Sequence, residues 1–343
     1  MAMKIDFNNL KINELSFETE FEKKVQKFLK EWYSEGKTVD VQTSGSTGVP
    51  KIFPIEKERM KNSANSTCDF LNLKRGDTAL LCLPVEYISG KMMVVRSIER
   101  GLELTVTEPS TKPIADLEES IDFCAMTPFQ VENSLSQLHW IKKIIIGGAA
   151  VSESLKYKIY GSLGSDSATE VFETYGMSET LSHIALKKMY PTTEDYFELF
   201  DGIEIALDER GCLIIKAPKL NPEVLQTNDL VELLDEKRFR YLGRVDNVIN
   251  SGGAKIFPEK LEALAKKSID KEIVFVGVKD EVLGEKLVAV VESKEDANLK
   301  SVILNLGFEK KFHQPKEIIF MPQLPRTPNG KISRLELKKL ISA

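Results

Sequence analysis

Four cysteines in 343 residues, Cys68, Cys82, Cys124 and Cys212, stand far apart, and none belongs to a C-x-x-C pair. That scarcity excludes a disulfide framework and a thiolate zinc site, and reads as reduced core residues. The three histidines, His139, His183 and His313, form no H-E-x-x-H or paired pattern, so a histidine metal centre is not expected. A G-x-S-x-G nucleophile elbow is also lacking, which counts against hydrolase chemistry. No stretch approaches the roughly 18 apolar residues of a membrane span, and residues 1–10 carry no apolar leader run. The formal charge of −5 gives no field that would recruit nucleic acid or an anionic membrane. A cytoplasmic protein without stable membrane association is expected.

A chain of this length, 42% hydrophobic, is better divided into two cores than one. Phe17, Phe21, Val25, Phe28 and Trp32 recur at helical spacing behind a Ser16 cap and predict an amphipathic packing helix. Strand-like runs follow at 38–41, 78–83, 102–107, 121–125, 143–146 and 170–174, with helical stretches between most of them. That alternation predicts an α/β domain with ligand loops at the carboxyl ends of its strands. From about Gly202 the runs become shorter, at 203–206, 212–217, 230–234 and 239–242. Beyond a glycine turn come a helix from Pro258, strands at 273–278 and 287–291, and a basic last helix. The expected division is a large N-terminal α/β domain over 1–243 and a small, mobile α+β domain over 244–343.

The segment Thr43-Ser44-Gly45-Ser46-Thr47-Gly48-Val49-Pro50-Lys51 is rich in glycine and hydroxyls and closes on a lysine. Glycines let backbone N–H groups approach an anion, hydroxyls add donors, and the lysine adds charge, so the loop reads as a phosphate cradle. It is not a Walker A loop, because Pro50 stands where the second glycine would be and Ile52 follows the lysine. A plain Gly/Ser turn is the alternative. Four further segments follow in order. Tyr175-Gly176-Met177-Ser178-Glu179-Thr180 sets a carboxylate after a predicted strand, and Thr227-Asn228-Asp229 sets one in a predicted turn. Gly243-Arg244-Val245-Asp246-Asn247 leads into the glycine loop Ser251-Gly252-Gly253. Pro325-Arg326-Thr327-Pro328-Asn329-Gly330-Lys331 presents a lysine on a rigid turn. Taken singly, Glu179 could be a helix N-terminal acid, Arg244 a surface ion-pair partner, Asp246 a loop acid and Lys331 a surface lysine.

In order and spacing these five segments resemble the adenylate-forming superfamily of acyl-CoA synthetases, peptide-synthetase adenylation domains and luciferases, from Thr43 to Lys331. The resemblance implies an enzyme that joins a carboxylic acid to AMP and passes the acyl group to a thiol, with ATP and Mg²⁺ required and CoA as cosubstrate. It implies that Thr43, Ser44, Gly45, Ser46, Thr47, Gly48 and Lys51 grip the ATP phosphates. Gly148, Ala149, Ala150, Thr174, Tyr175 and Gly176 wall the adenine and acyl-adenylate, and Asp229 and Arg244 hold the ribose. Glu179 carries the metal, Asp246 is the hinge, Lys331 bridges the reacting carboxylate and the α-phosphate, and Ser251, Gly252 and Gly253 line a tunnel for CoA. Thr43, Glu179 and Lys331 are the expected catalytic residues. The partner is a small carboxylic acid, and a homodimer is left open.

Three departures bear on the substrate. The phosphate loop begins at residue 43, so much of the family's usual N-terminal subdomain has no counterpart before it. Tyr87 stands in Leu83-Pro84-Val85-Glu86-Tyr87-Ile88-Ser89-Gly90, where the family usually has histidine, and Asn228 replaces the glycine of Thr-Gly-Asp. The compact form resembles short ligases of the o-succinylbenzoate branch in menaquinone biosynthesis, whose acid has two carboxylates and one ring. Such a pocket needs donors for the carboxylate that does not react. Lys91 is the expected cation, with Tyr87, Met177, Ser178, Ser182 and His183 as further acid contacts; a solvated helix lysine is the alternative. Another aryl or fatty acid, a carrier-protein thiol in place of CoA, and a non-catalytic nucleotide binder are the rival readings.

Overall fold

The computed structural model describes residues 3–11, 14–42, 52–165, 167–326 and 332–341. Strand β1 (Met3–Asp6) and helix α1 (Glu20–Trp32) open the chain. The helix starts at Thr19 rather than at Ser16: the Thr19 hydroxyl accepts from Glu22 N–H, and Glu22 returns the bond to the Thr19 backbone. This reciprocal cap satisfies two orphan donors, which Ser16 is too far upstream to do. Phe21, Val25, Phe28, Leu29 and Trp32 are buried beneath it. Hairpin strands β2 (Thr38–Gln42) and β3 (Ile52–Glu56) form a separate two-stranded sheet in which Gln42 faces Ile52.

The parallel block predicted from alternation is present. It runs α2 (Lys57–Phe70), β4 (Thr78–Leu81), α3 (Ile88–Arg100), β5 (Glu103–Val106), β6 (Ile121–Met126), α4 (Pro128–Glu132), β7 (Ile141–Ile146), α5 (Glu153–Leu163) and β8 (Glu170–Gly176). The parallel order is β5-β4-β6-β7-β8, and β1 adds antiparallel to β5 at the edge. Side-chain alternation splits two cores across this sheet. Ala79, Leu81, Phe123, Ala125 and Ile145 face one way, into a core shared with α1, α2 and α3. Leu80, Cys124, Ile144 and Ile146 face the other way, against α5. Strand β4 stops at Leu81, short of the predicted residue 83, ahead of Pro84, which has no N–H to continue a ladder.

An antiparallel extension then completes twelve strands: β9 (His183–Tyr190), β10 (Phe197–Leu199), β11 (Glu204–Leu207), β12 (Cys212–Ala217), β13 (Asn221–Leu233) and β14 (Arg238–Arg244). Strand β9 escaped the sequence reading, as did the first half of β13. That half is largely exposed and polar and is held by pairing with β12 rather than by apolar alternation. After Arg244 the chain leaves this sheet. A second, five-stranded sheet contains β15 (Ile249–Ser251), β16 (Ala254–Ile256), β17 (Ile273–Asp280), β18 (Gly284–Glu292) and β19 (Glu317–Met321). Helices α6 (Pro258–Ala265), α7 (Ala297–Leu304) and α8 (Arg334–Ile341) accompany it, and it has its own buried cores.

Candidate active site

The carboxyl ends of β4, β7 and β8 present the segments singled out from sequence. Gly147, Gly148, Ala149 and Ala150 leave β7 in a turn, with Gly148 at φ +86°. A Cβ on Gly147 would lie 2.8 Å from Thr174 Oγ1, so glycine is what lets this turn close on the end of β8. Gly90 is required in the same way, because a Cβ there would stand 2.3 Å from the Pro84 carbonyl oxygen. Tyr87 occupies the N-cap position of α3, and Gln42, the last residue of β2, donates its N–H to Glu86 O. Thr43, Ser44, Gly45, Ser46, Thr47, Gly48 and Lys51 lie outside the described residues, between Gln42 and Ile52.

Tyr175 is buried in β8 with its ring 5.0 Å from that of Phe239 and 5.5 Å from that of Phe197. Its hydroxyl donates to Asp229 Oδ2 at 2.6 Å. Burial, then the Asp229 charge, pushes the phenol far above its ordinary range, so it stays a donor. Asp229 faces Arg244 across the β13–β14 ladder, with Nη1 to Oδ1 at 3.4 Å, and Arg244 Nη2 reaches Asp246 Oδ2 at 2.9 Å. The bond to Asp246, ahead of the Asp229 charge, raises the Arg244 pKa. Sequence placed Asp229 in a turn; it is a strand residue. Met177 packs against the main core, while Ser178 and Glu179 are exposed in the turn that follows β8. The Glu179 carboxylate has no hydrogen-bond partner among the described residues. Gly252 (φ +56°) and Gly253 (φ +81°) form the turn between β15 and β16, with Ser251 at its start. Lys331 lies outside the described residues; its flanks Arg326 and Ile332 pair antiparallel.

The structure does not bring Lys91 together with Ser182 and His183. Lys91 is only 7% exposed, and its Nζ lies 4.4 Å above the Phe28 ring of α1. Burial lowers its pKa. It is therefore neither a solvated helix lysine nor a neighbour of the other polar contacts. The cation beside them is Arg96, five residues along α3 and about 140° around the helix at 100° per residue. Arg96 is 2% exposed. Among the described residues its Nη2 donates to Ser182 Oγ at 3.3 Å, its Nη1 meets only Met93 Sδ at 3.8 Å, and its Nε has no partner. No carboxylate pairs with it among the described residues. Burial pushes the guanidinium down to about 10, which leaves it charged at neutral pH.

The hydroxyl of Ser182 faces His183 Nδ1 at 3.4 Å, and Nε2 lies 3.1 Å from Thr67 Oγ1. Thr67 spends its own proton on Ser63 O, so Nε2 is the protonated nitrogen. Burial first, and Arg96 second, push the imidazole pKa well below 6.5. His183 is thus neutral, and Arg96 carries the charge of the cluster. One signal in the sequence marks it: Ser89, Met92, Met93 and Arg96 share a helical face, and Arg96 is the charge on it.

Two family models match the chain: that of the AMP-binding enzyme over residues 18–204, and that of the AMP-binding enzyme C-terminal domain over 262–331. The chain belongs to the AMP-binding enzyme family. Among solved structures, this AMP-binding enzyme is similar to an acyl-CoA synthetase (AMP-forming)/AMP-acid ligase II-like protein from Dyadobacter fermentans, with 32% identity, full coverage of both chains and a TM-score of 0.68. It is also similar to the 2-succinylbenzoate–CoA ligase of Listeria monocytogenes, 26% identical over 87% of this chain and 68% of that protein. The o-succinylbenzoate coenzyme A synthetase of Bacillus subtilis, solved with ATP and magnesium ion, shares the fold at 21% identity and a TM-score of 0.71, over 87% of this chain and 69% of that one. The AMP-binding enzyme thus spans about two thirds of its longer relatives.

Proposed function

We propose that this AMP-binding enzyme is an AMP-forming acid–CoA ligase whose acid is a dicarboxylate of the o-succinylbenzoate kind. The observation that carries the choice of acid is Arg96, a buried guanidinium without a counter-charge among the described residues, next to Ser182 and neutral His183. An isolated buried cation costs several kcal/mol, on the order of the desolvation penalty left after relaxation. A carboxylate delivered by the substrate would offset that cost through charge-assisted hydrogen bonds to Nε and Nη1. The similarity to 2-succinylbenzoate–CoA ligases supports the same acid.

In this reading the two units, 1–243 and 244–343 from the sequence, share one reaction, with the break moved past Arg244, the last residue of β14. Asp229 accepts the ribose hydroxyls while Tyr175 and Arg244 fix its orientation. The Gly148 to Ala150 turn and Thr174 to Gly176 wall the base. The substrate carboxylate attacks the α-phosphorus, the bond to pyrophosphate breaks, and Lys331 neutralises the charge between them. The CoA thiolate, admitted past Ser251, Gly252 and Gly253, then attacks the acyl carbon and AMP leaves. Among the described residues no three acids, histidines or cysteines cluster as a metal site. Magnesium needs none, since it is held by one or two carboxylates together with substrate phosphates, and the exposed Glu179 fits that share. Bound there, it would screen phosphate charge.

An acid panel in ATP–pyrophosphate exchange tests the proposal. At one concentration o-succinylbenzoate should exceed benzoate and fatty acids in kcat/KM by about 10-fold or more, the value of one buried charge pair. A preference for a monocarboxylate sinks the diacid reading, and no acid-dependent exchange at all sinks the enzyme reading. Thioester formation with free CoA separates the ligase from a carrier-protein loader.

A further inference from the structure

The stretch between the two sheets is short. Strand β14 ends at Arg244 in the twelve-stranded sheet, β15 begins at Ile249 in the five-stranded one, and Asp246 sits in a single helical turn, Val245–Asn247, between them. Any rotation of one unit against the other must change backbone angles here. Asp246 is held from the large sheet by two side chains. Arg244 Nη2 binds Oδ2 at 2.9 Å, and Asn228 Nδ2 reaches both oxygens, each at 3.2 Å. The Asn228 amide is itself oriented, because Arg210 Nη1 donates to its Oδ1 at 2.9 Å and Arg210 Nη2 donates to Thr227 O at 3.0 Å. Arg210 is anchored in turn by Asp208, with Nε to Oδ2 at 2.8 Å. An amide has one accepting and one donating end, so fixing its oxygen on Arg210 aims its NH₂ at the hinge carboxylate.

We propose that Asn228, oriented by Arg210, is a positioning residue that clamps Asp246 and sets how readily the two units change orientation between the two half-reactions. A glycine at 228 could not make this contact, so the departure from Thr-Gly-Asp adds a bond to Asp246 that a glycine there would lack. Arg244 bonds Asp229 as well as Asp246, and the clamp therefore also joins the hinge to the carboxylate assigned to the ribose. Arg210, Arg244 and Asp246 each keep about half of their side-chain surface in water, so these bonds can exchange with solvent within a catalytic cycle. The clamp's kinetic role rests on the ligase reading; its contacts do not.

The test uses the full-length protein and Asn228→Gly. With ATP, o-succinylbenzoate and CoA, overall thioester turnover should change by about 3- to 10-fold, the range for partly solvated hydrogen bonds to a charge. Pyrophosphate exchange and its KM for ATP should move less than about 2-fold, since the clamp touches no reacting atom. In an Asp246→Ala background Asn228→Gly should have no further effect. Parallel loss of both half-reactions, or full additivity with Asp246→Ala, overturns the clamp. A readout independent of activity is trypsin cleavage after Arg244, which Asn228→Gly should accelerate by about 3- to 10-fold through freer local opening, and Arg210→Met likewise. Unchanged cleavage in both variants overturns the clamp even if the wild-type protein adenylates no acid; absent exchange with accelerated cleavage retains the clamp and removes only the ligase reading.

Discussion

Arg96 and Arg334 are both largely buried arginines, and their surroundings are opposite. Arg334, at the start of α8, places Nη2 2.6 Å from Glu262 Oε2 and donates Nη1 to Phe275 O at 2.9 Å. Arg96, on α3, has among the described residues one long bond to Ser182, a contact with Met93 Sδ and no acid. A paired buried cation is a structural element, because its partners compensate the lost hydration within the fold. An unpaired one is compensated only when something else brings the charge. The contrast teaches that burial alone does not separate structural from functional arginines; the count of partners does.

Arg334→Met tests the structural side and should show the largest loss of stability. It strands Glu262 without its cation, at a cost of about 3 kcal/mol, read as a lower denaturant midpoint. A change below about 1 kcal/mol would erase the contrast, because that is the range of exposed pairs. Arg96→Met should do the reverse. Stability should hold within about 1 kcal/mol or rise, since a desolvated charge is replaced by an apolar chain of similar length. KM for o-succinylbenzoate should rise by roughly 10- to 100-fold while KM for a monocarboxylate shifts far less. Equal effects on both acids, or a loss of stability like that of Arg334→Met, would make Arg96 structural.

The smallest effect concerns pH. His183 is held neutral, with its folded pKa well below 6.5. Below 6.5 the unfolded state therefore binds a proton that the folded state does not. Stability from this group is fully present above 6.5 and declines as the pH falls toward the folded pKa, by up to about 1.4 kcal/mol per pH unit. Denaturation midpoints between pH 7 and pH 5 should fall more steeply for the wild type than for His183→Gln. Parallel profiles would mean that His183 is already charged in the folded protein, and that Arg96 is not the only cation of the cluster.

The parallel block was legible because buried runs such as Ile144 to Ile146 are apolar on both faces and alternate with helices. The exposed half of β13 and strand β9 were not: the first is polar and largely exposed, and the second carries Lys187 and Lys188 in its middle, so neither shows an apolar alternation although each pairs with the strand just before it. The same split runs through the site. Tyr175, Asp229, Arg244 and Asp246 could be named in sequence, for their segments keep a fixed order. Their hydrogen bonds could not, because β8, β13 and β14 meet only in the sheet.

By itself, then, the sequence determined the family and the order of its five segments, since these reside in residue types at short spacing. Only the tertiary structure decided which cation stands with Ser182 and His183. Lys91 and Arg96 lie on one helix, and packing chose between them: Phe28 of α1 covers the lysine, while the turn after β8 carries Ser182 to the arginine. It also decided that Asn228 meets Asp246, for an amide in one strand makes that contact only when Arg210 and Asp246 are folded to either side of it.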